Sequence, residues 1–144
     1  MMLSKDQINH GFNGHINCAM HIVQEWSEKL GYDKKDSMRM ASPFGGGFWR
    51  GDNCGAVCGS MMVIGMKYGH CDHGDEDGNN TMIAKTHEFT KAFIEKNGTL
   101  TCRELVQYDF SVDGELEKAF ESGRIADFCP GMVQSALEIL ESIM

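Results

Sequence analysis

Apolar residues at helical spacing run through most of this chain and constrain its fold more than any other feature. Residues 16 to 30 form one apolar stripe at intervals of three or four, and Gly31 is suited to end that helix. Further helices are predicted over 34–41, 54–68, 81–96, 102–107, 113–123 and from Pro130 onward. No segment shows the alternation of a strand. The pattern therefore predicts an all-α protein, a single compact bundle of about five to seven helices.

The chain predicts one domain, because no linker, repeat or low-complexity stretch divides residues 1–144. A formal net charge of -8 argues against nucleic acid as a partner, since nucleic acid requires a basic patch. The longest apolar stretch, residues 61–66, is too short to span a bilayer, and no secretory signal is visible. We therefore expect a cytoplasmic protein, whose cysteines are reduced, bound to metal or catalytic.

Four of the six cysteines stand at predicted helix starts. Asn17, Asn53 and Thr101 each precede a cysteine and suit the N-cap position, while Pro130 suits the first position of a helix. The helix dipole favours a thiolate there, which is the form that binds metals and attacks disulfides. We therefore expect lowered thiol pKa values and metal or redox chemistry at these cysteines. The four residues are Cys18, Cys54, Cys102 and Cys129.

The spacing of the cysteines does not define a known metal motif. No Cys-x-x-Cys pair is present, so the signature of zinc ribbons and ferredoxins is missing. The four residues meet only if several helix N-termini point into one pocket. Taken singly, each cysteine is better interpreted as a small buried hydrophobic residue. Cys58 lies one turn after Cys54 and is predicted to be a core thiol near the site or a further ligand, whereas Cys71 is predicted to be exposed.

A glycine-rich loop, residues 44–51, precedes the helix that begins near Cys54. Its backbone N–H groups are suited to surround an anion, a phosphate or the sulfurs of a cluster. The loop matches neither a P-loop nor a dinucleotide fingerprint. Gly55, Gly59 and Gly65 in the following helix are predicted to let another helix approach closely. The tract 70–77, rich in His, Cys and Asp, is predicted to be a solvated loop rather than a metal site.

Together these features resemble the redox-active proteins of the C_GCAxxG_C_C family. The resemblance covers nearly the whole chain, and it implies a small helical protein with four family cysteines at the positions named above. The family label writes Gly before Cys, whereas here Cys54 precedes Gly55, and Cys58 stands where a small or hydroxyl residue is expected. The domain is also similar to the iron–sulfur part of split-Soret cytochromes c, whose haem motifs are missing here. The matching segments are Asn17-Cys18-Ala19, residues 41–47, Arg50-Gly51, residues 54–59 (CGAxxG), Tyr68-Gly69, residues 102–105 and Cys129-Pro130.

Three functions follow from the four cysteines. The leading hypothesis is an iron–sulfur cluster bound by all four, used for electron transfer or sensing with an unidentified redox partner protein. The second is a thiol–disulfide oxidoreductase that uses the same thiols. The third is a non-catalytic structural module in which four thiolates hold zinc. Helix packing through glycines also makes a homodimer conceivable.

Overall fold

The fold is all-α, as the sequence predicts, in a computed structural model that describes residues 2–144. Eight α-helices are present, one more than the upper end of the predicted range, and the described residues contain no strand, only an isolated bridge between Asn53 and Thr101. The additional helix is the first, which begins with a capping box between Ser4 and Gln7. The helices are α1 Lys5–Asn13, α2 Cys18–Trp26, α3 Lys34–Ala41, α4 Gly55–Tyr68, α5 Glu76–Asn97, α6 Cys102–Val106, α7 Glu115–Glu121 and α8 Arg124–Ile143.

The core lies where α2, α4 and α8 pack against one another. Ile22 of α2, Ile64 of α4 and Leu140 of α8 are fully or almost fully buried there. Helix α5 covers this core with Phe89 and Phe93, whose rings stack at 6.0 Å and are completely buried. The shorter helices α1, α6 and α7 pack at the end of the bundle where α8 begins. This arrangement leaves the starts of several helices close together.

Glycine allows α2 and α4 to pack closely. A Cβ atom at Gly59 would lie 2.7 Å from the carbonyl oxygen of Ala19 and 2.9 Å from Cβ of Ile22. At Gly55, a Cβ atom would lie 3.2 Å from Cβ of Cys18. The predicted close approach is therefore confirmed at these two positions. It is wrong for Gly65, which has nothing within 4 Å of the place a Cβ would take.

Helix α8 begins six residues earlier than the sequence predicts. It starts at Arg124, so that Pro130 lies inside the helix rather than at its first position. Proline has no N–H to donate, and this leaves the carbonyl of Ala126 without its helical partner. The Asn9 side chain of α1 donates to that carbonyl at 2.9 Å. A tertiary contact thus compensates for the proline, which local sequence rules do not anticipate.

None of the helices in residues 2–144 is both long and apolar enough to cross a membrane.

Candidate four-cysteine site

One cavity of about 230 Å³ opens at the end of the bundle where the helix starts meet. All four predicted site cysteines line it, although they come from separate helices. Cys54, Cys102 and Cys129 are buried, and Cys18 is partly exposed. The fold therefore brings together the residues that the sequence singles out, across long separations along the chain.

Two of these cysteines are placed by pairing of the backbone. The N–H of Cys54 donates to the carbonyl of Leu100 at 2.7 Å, and the N–H of Cys102 donates to the carbonyl of Asp52 at 2.6 Å. These bonds flank the isolated antiparallel bridge between residues 53 and 101. Because the two segments are joined directly before α4 and α6 begin, Cys54 and Cys102 are held side by side.

The other two cysteines form a second pair. The thiol of Cys129 interacts with that of Cys18 and is the largest cause of the raised Cys18 pKa. Cys18 is the first residue of α2, and its position depends on Asn17, whose side chain accepts from the N–H of Met20 at 3.1 Å. The Asn17 amide also donates to the carbonyl of Ser42 at 2.9 Å. This cap therefore ties the start of α2 to the segment that follows α3.

The predicted helix starts are partly correct. Asn17 caps α2 as expected, whereas Cys54 itself occupies the N-cap position of α4 in place of Asn53. Thr101 precedes α6 without a side-chain capping bond. Cys129 lies in the second turn of α8, so the prediction of a helix start at this cysteine is wrong. Three of the four thiols are thus at helix N-termini, and the fourth joins them through the side of a helix.

Helix dipoles predict lowered pKa values for the thiols, but the pKa values of Cys18, Cys54 and Cys102 are raised. Burial raises the pKa of Cys54 to about 12, although the backbone N–H groups of Ala56 and Val57 favour its thiolate. Interaction with the Cys129 thiol and then burial raise the pKa of Cys18 well above the usual value. Burial also raises the pKa of Cys102. The effect of desolvation on these pKa values is larger than that of the helix termini. These three thiols are therefore protonated at neutral pH until a cation binds.

The glycine-rich loop forms a left-handed turn at the cavity. The φ angles of residues 46–49 lie between 58° and 61°, in the region that side chains other than glycine rarely adopt. Holding Phe48 and Trp49 there costs roughly 1–2 kcal/mol each. The N–H groups of residues 49, 51 and 52 donate to carbonyls of residues 45, 46 and 47 within the turn. The sequence predicts that the loop directs its N–H groups at a ligand, but these three are used internally.

Sequence reasoning misses the apolar part of the cavity wall. Phe110 lies in the loop before α7, and Leu116 and Phe120 lie one turn apart on α7 itself. The spacing of four between Leu116 and Phe120 is the signal that would have placed both on one helix face. Ile125 of α8 and Trp49 of the left-handed turn also line the cavity.

The remaining cysteines do not line this cavity. The Cys58 thiol points back along α4 and donates to the carbonyl of Asn53 at 3.6 Å, and burial raises its pKa to about 11. Cys71 is exposed, as predicted. In the same polar tract, His70 is hydrogen-bonded to Asn79 at 3.1 Å. Within residues 2–144, no group of three or more His, Cys, Asp or Glu side chains is arranged to hold a metal ion.

The pKa values of the thiols predict how the protein, with nothing bound to its cysteines, reacts with a thiol reagent. At pH 7 we expect Cys71 to react quickly with 5,5′-dithiobis(2-nitrobenzoate) because it is exposed, while Cys18, Cys54 and Cys102 react slowly because their pKa values are raised. The slow rate should rise about tenfold per pH unit from pH 7 to 9, because this range lies below their pKa values. Stopped-flow absorbance across this range measures both phases. The Cys71→Ser variant should lose only the fast phase; several fast thiols remaining in it would contradict the raised pKa values.

The fold and the site define a class of small helical proteins with a four-cysteine cavity. The chain belongs to the family described as "Putative redox-active protein (C_GCAxxG_C_C)", whose model matches residues 16–143. Comparisons with curated proteins and with solved structures give no significant match.

Proposed function

We propose that this redox-active protein binds an iron–sulfur cluster through Cys18, Cys54, Cys102 and Cys129, and that it serves in electron transfer or redox sensing. The observation that carries the proposal is that all four cysteines line one cavity. Iron–sulfur clusters are commonly held by four thiolates. The four thiols therefore fit this group in the type of donor, although no three of the described side chains are arranged to hold a single metal ion. When bound, a cluster would supply a site that accepts and releases single electrons.

The surroundings of the cysteines support this role. The backbone N–H groups of Ala56 and Val57 favour negative charge on the sulfur of Cys54, and N–H groups directed at ligand sulfurs raise the reduction potential of a cluster. The apolar side chains of Leu105, Val106 and Ile125 line the same cavity and keep its dielectric constant low. These residues would set the potential, and burial of the thiols would limit access of water and oxygen.

A dithiol reaction is the second candidate, because the thiols of Cys18 and Cys129 line the same cavity and interact strongly enough to raise the pKa of Cys18. In that reaction the two thiols would form a disulfide, and two electrons and two protons would pass to a partner disulfide. The raised pKa of Cys18 opposes this chemistry, since the attacking species is a thiolate. We therefore rank it below cluster binding.

Anaerobic reconstitution of the full chain with ferrous iron and sulfide tests the proposal. We expect iron and acid-labile sulfide in equal amounts, visible thiolate-to-iron absorption bands, and protection of four thiols from alkylation. Loss of thiols in pairs without iron uptake would favour the dithiol reaction. Uptake of one zinc ion with no redox activity would favour a structural module. Either of these outcomes would overturn the proposal that the four cysteines bind an iron–sulfur cluster.

We also propose a cytoplasmic location and an unidentified redox partner protein. A reducing compartment suits six unpaired cysteines, and a buried cluster needs a protein that delivers or removes its electrons. A homodimer is conceivable from helix packing through glycines, and sedimentation of the reconstituted protein would test it.

A further inference from the structure

Four aromatic rings line the cavity beside the cysteines, each from a different part of the chain. Phe12 belongs to α1, Trp49 to the left-handed turn, Phe110 to the loop before α7, and Phe120 to α7. We call these four residues the aromatic wall. Trp49 is 44% exposed and Phe120 is 51% exposed, although both line a cavity rather than a convex surface. Large apolar side chains that remain exposed in a concave site are characteristic of ligand binding.

The wall carries no fixed charge to attract an ion. Among residues 2–144, no Lys, Arg, Asp or Glu lines the cavity. Asn17 lines it, but its side chain is already used by the N–H of Met20 and the carbonyl of Ser42. His15 is an exposed polar residue of the lining. A charged molecule that forms no bond to the thiols would lose its hydration here without gaining a counter-ion, so the space beside the cysteines favours an uncharged molecule.

The size of the cavity sets the size of that molecule. Its volume is about 230 Å³. An apolar protein cavity of about 150 Å³ is known to bind benzene. The space therefore accommodates one aromatic ring, and it is too small for a folded partner.

We propose that the aromatic wall binds a small, uncharged aromatic molecule in contact with the four-cysteine site. The strained left-handed turn gives this proposal further support, since it holds the Trp49 ring against the cavity, where Gly46 packs beneath both Trp49 and Phe110. Backbone strain of this kind is found at ligand-binding sites. The proposal goes beyond the function proposed above, and it rests on the wall whether or not iron is bound.

Titration with toluene, monitored by NMR of the ¹⁵N-labelled full chain, tests the proposal. The two tryptophans give two indole N–H signals, and the Trp26→Phe variant identifies the one from Trp49. We expect toluene to shift the Trp49 signal saturably and to leave that of Trp26 unchanged. Benzoate carries the same ring with a negatively charged carboxylate, and its affinity should be lower than that of toluene by about tenfold or more. Equal binding of the two probes, or an unmoved Trp49 signal, would overturn the proposal.

A pair of matched variants tests whether the wall itself is responsible. Phe120→Asp places a carboxylate on the wall at a half-exposed position and should weaken toluene binding about tenfold or more. Phe48→Asp is the control, since Phe48 is 42% exposed and does not line the cavity. If both variants lose toluene affinity equally, toluene contacts the protein nonspecifically, and the proposal would be overturned. Titrating the iron-free and the reconstituted protein separates the two proposals, because toluene binding by the iron-free chain does not depend on cluster formation.

Discussion

The Gly59→Ala variant is expected to lose about 2–3 kcal/mol of unfolding free energy, a large effect for the addition of one methyl group. The added Cβ would lie 2.7 Å from the backbone carbonyl oxygen of Ala19 and 2.9 Å from Cβ of Ile22. Neither neighbour is the free end of a flexible side chain, so α2 and α4 must separate. Denaturation of the iron-free protein in guanidinium chloride, followed by circular dichroism, measures the loss.

Gly65→Ala is the matched control on the same helix. Nothing lies within 4 Å of its added Cβ, so the stability changes only through the better helix propensity of alanine. We expect this variant to gain about 0.5–1 kcal/mol. If the two variants change the free energy of unfolding in the same direction, close approach of α2 and α4 is not what Gly59 provides.

Replacing Cys102 with alanine is expected to lower iron and sulfide incorporation on reconstitution by about tenfold or more. Cys102 is buried in the cavity wall and is held beside Cys54 by the backbone pairing of residues 52–54 with 100–102. The variant would leave three thiolates for a group that requires four. Iron and acid-labile sulfide analysis, together with visible absorption, gives the measurement. Alanine is preferred to serine because a serine oxygen can also bind iron.

Cys71→Ala is the control for this variant, because Cys71 is exposed and lies outside the cavity. It should incorporate as much iron as the wild type. Cys58→Ala should do the same, since the Cys58 thiol donates to the carbonyl of Asn53 and does not line the cavity. Far-ultraviolet circular dichroism of each iron-free variant shows whether the fold is retained. A folded Cys102→Ala protein with full iron content would refute the assignment of Cys102 as a ligand.

The sequence predicts the helical class and much of the site because both depend on local rules. The stripe of α2 repeats at helical spacing, and Asn17 is a preferred cap, so the start of α2 follows directly from neighbouring residues. Helix α2 itself ends at Trp26, earlier than predicted, and Gly31 ends the short 3-10 turn Glu28–Leu30 that follows, with a φ of 84° that favours glycine. Cys18 is therefore placed correctly without any tertiary information.

Other parts of the site depend on contacts that are distant in sequence. Pro130 is tolerated inside α8 because Asn9 donates to the carbonyl of Ala126, a contact 117 residues apart. The pairing of residue 53 with residue 101 likewise has no local signal. The thiol pKa values follow burial, which only the assembled fold determines, and the left-handed conformation of Phe48 and Trp49 opposes their intrinsic preference.

The backbone pairing beside Cys54 and Cys102 has a consequence for folding. The chain between these two cysteines contains both α4 and α5, and the pairing closes it into a loop. Any group that bonds to both sulfurs would act as a cross-link at the base of this loop and would reduce the conformational freedom of the denatured chain. The energy of binding would then appear as resistance to unfolding. Cofactor occupancy would thereby govern how long the protein survives proteolysis, as well as its redox behaviour.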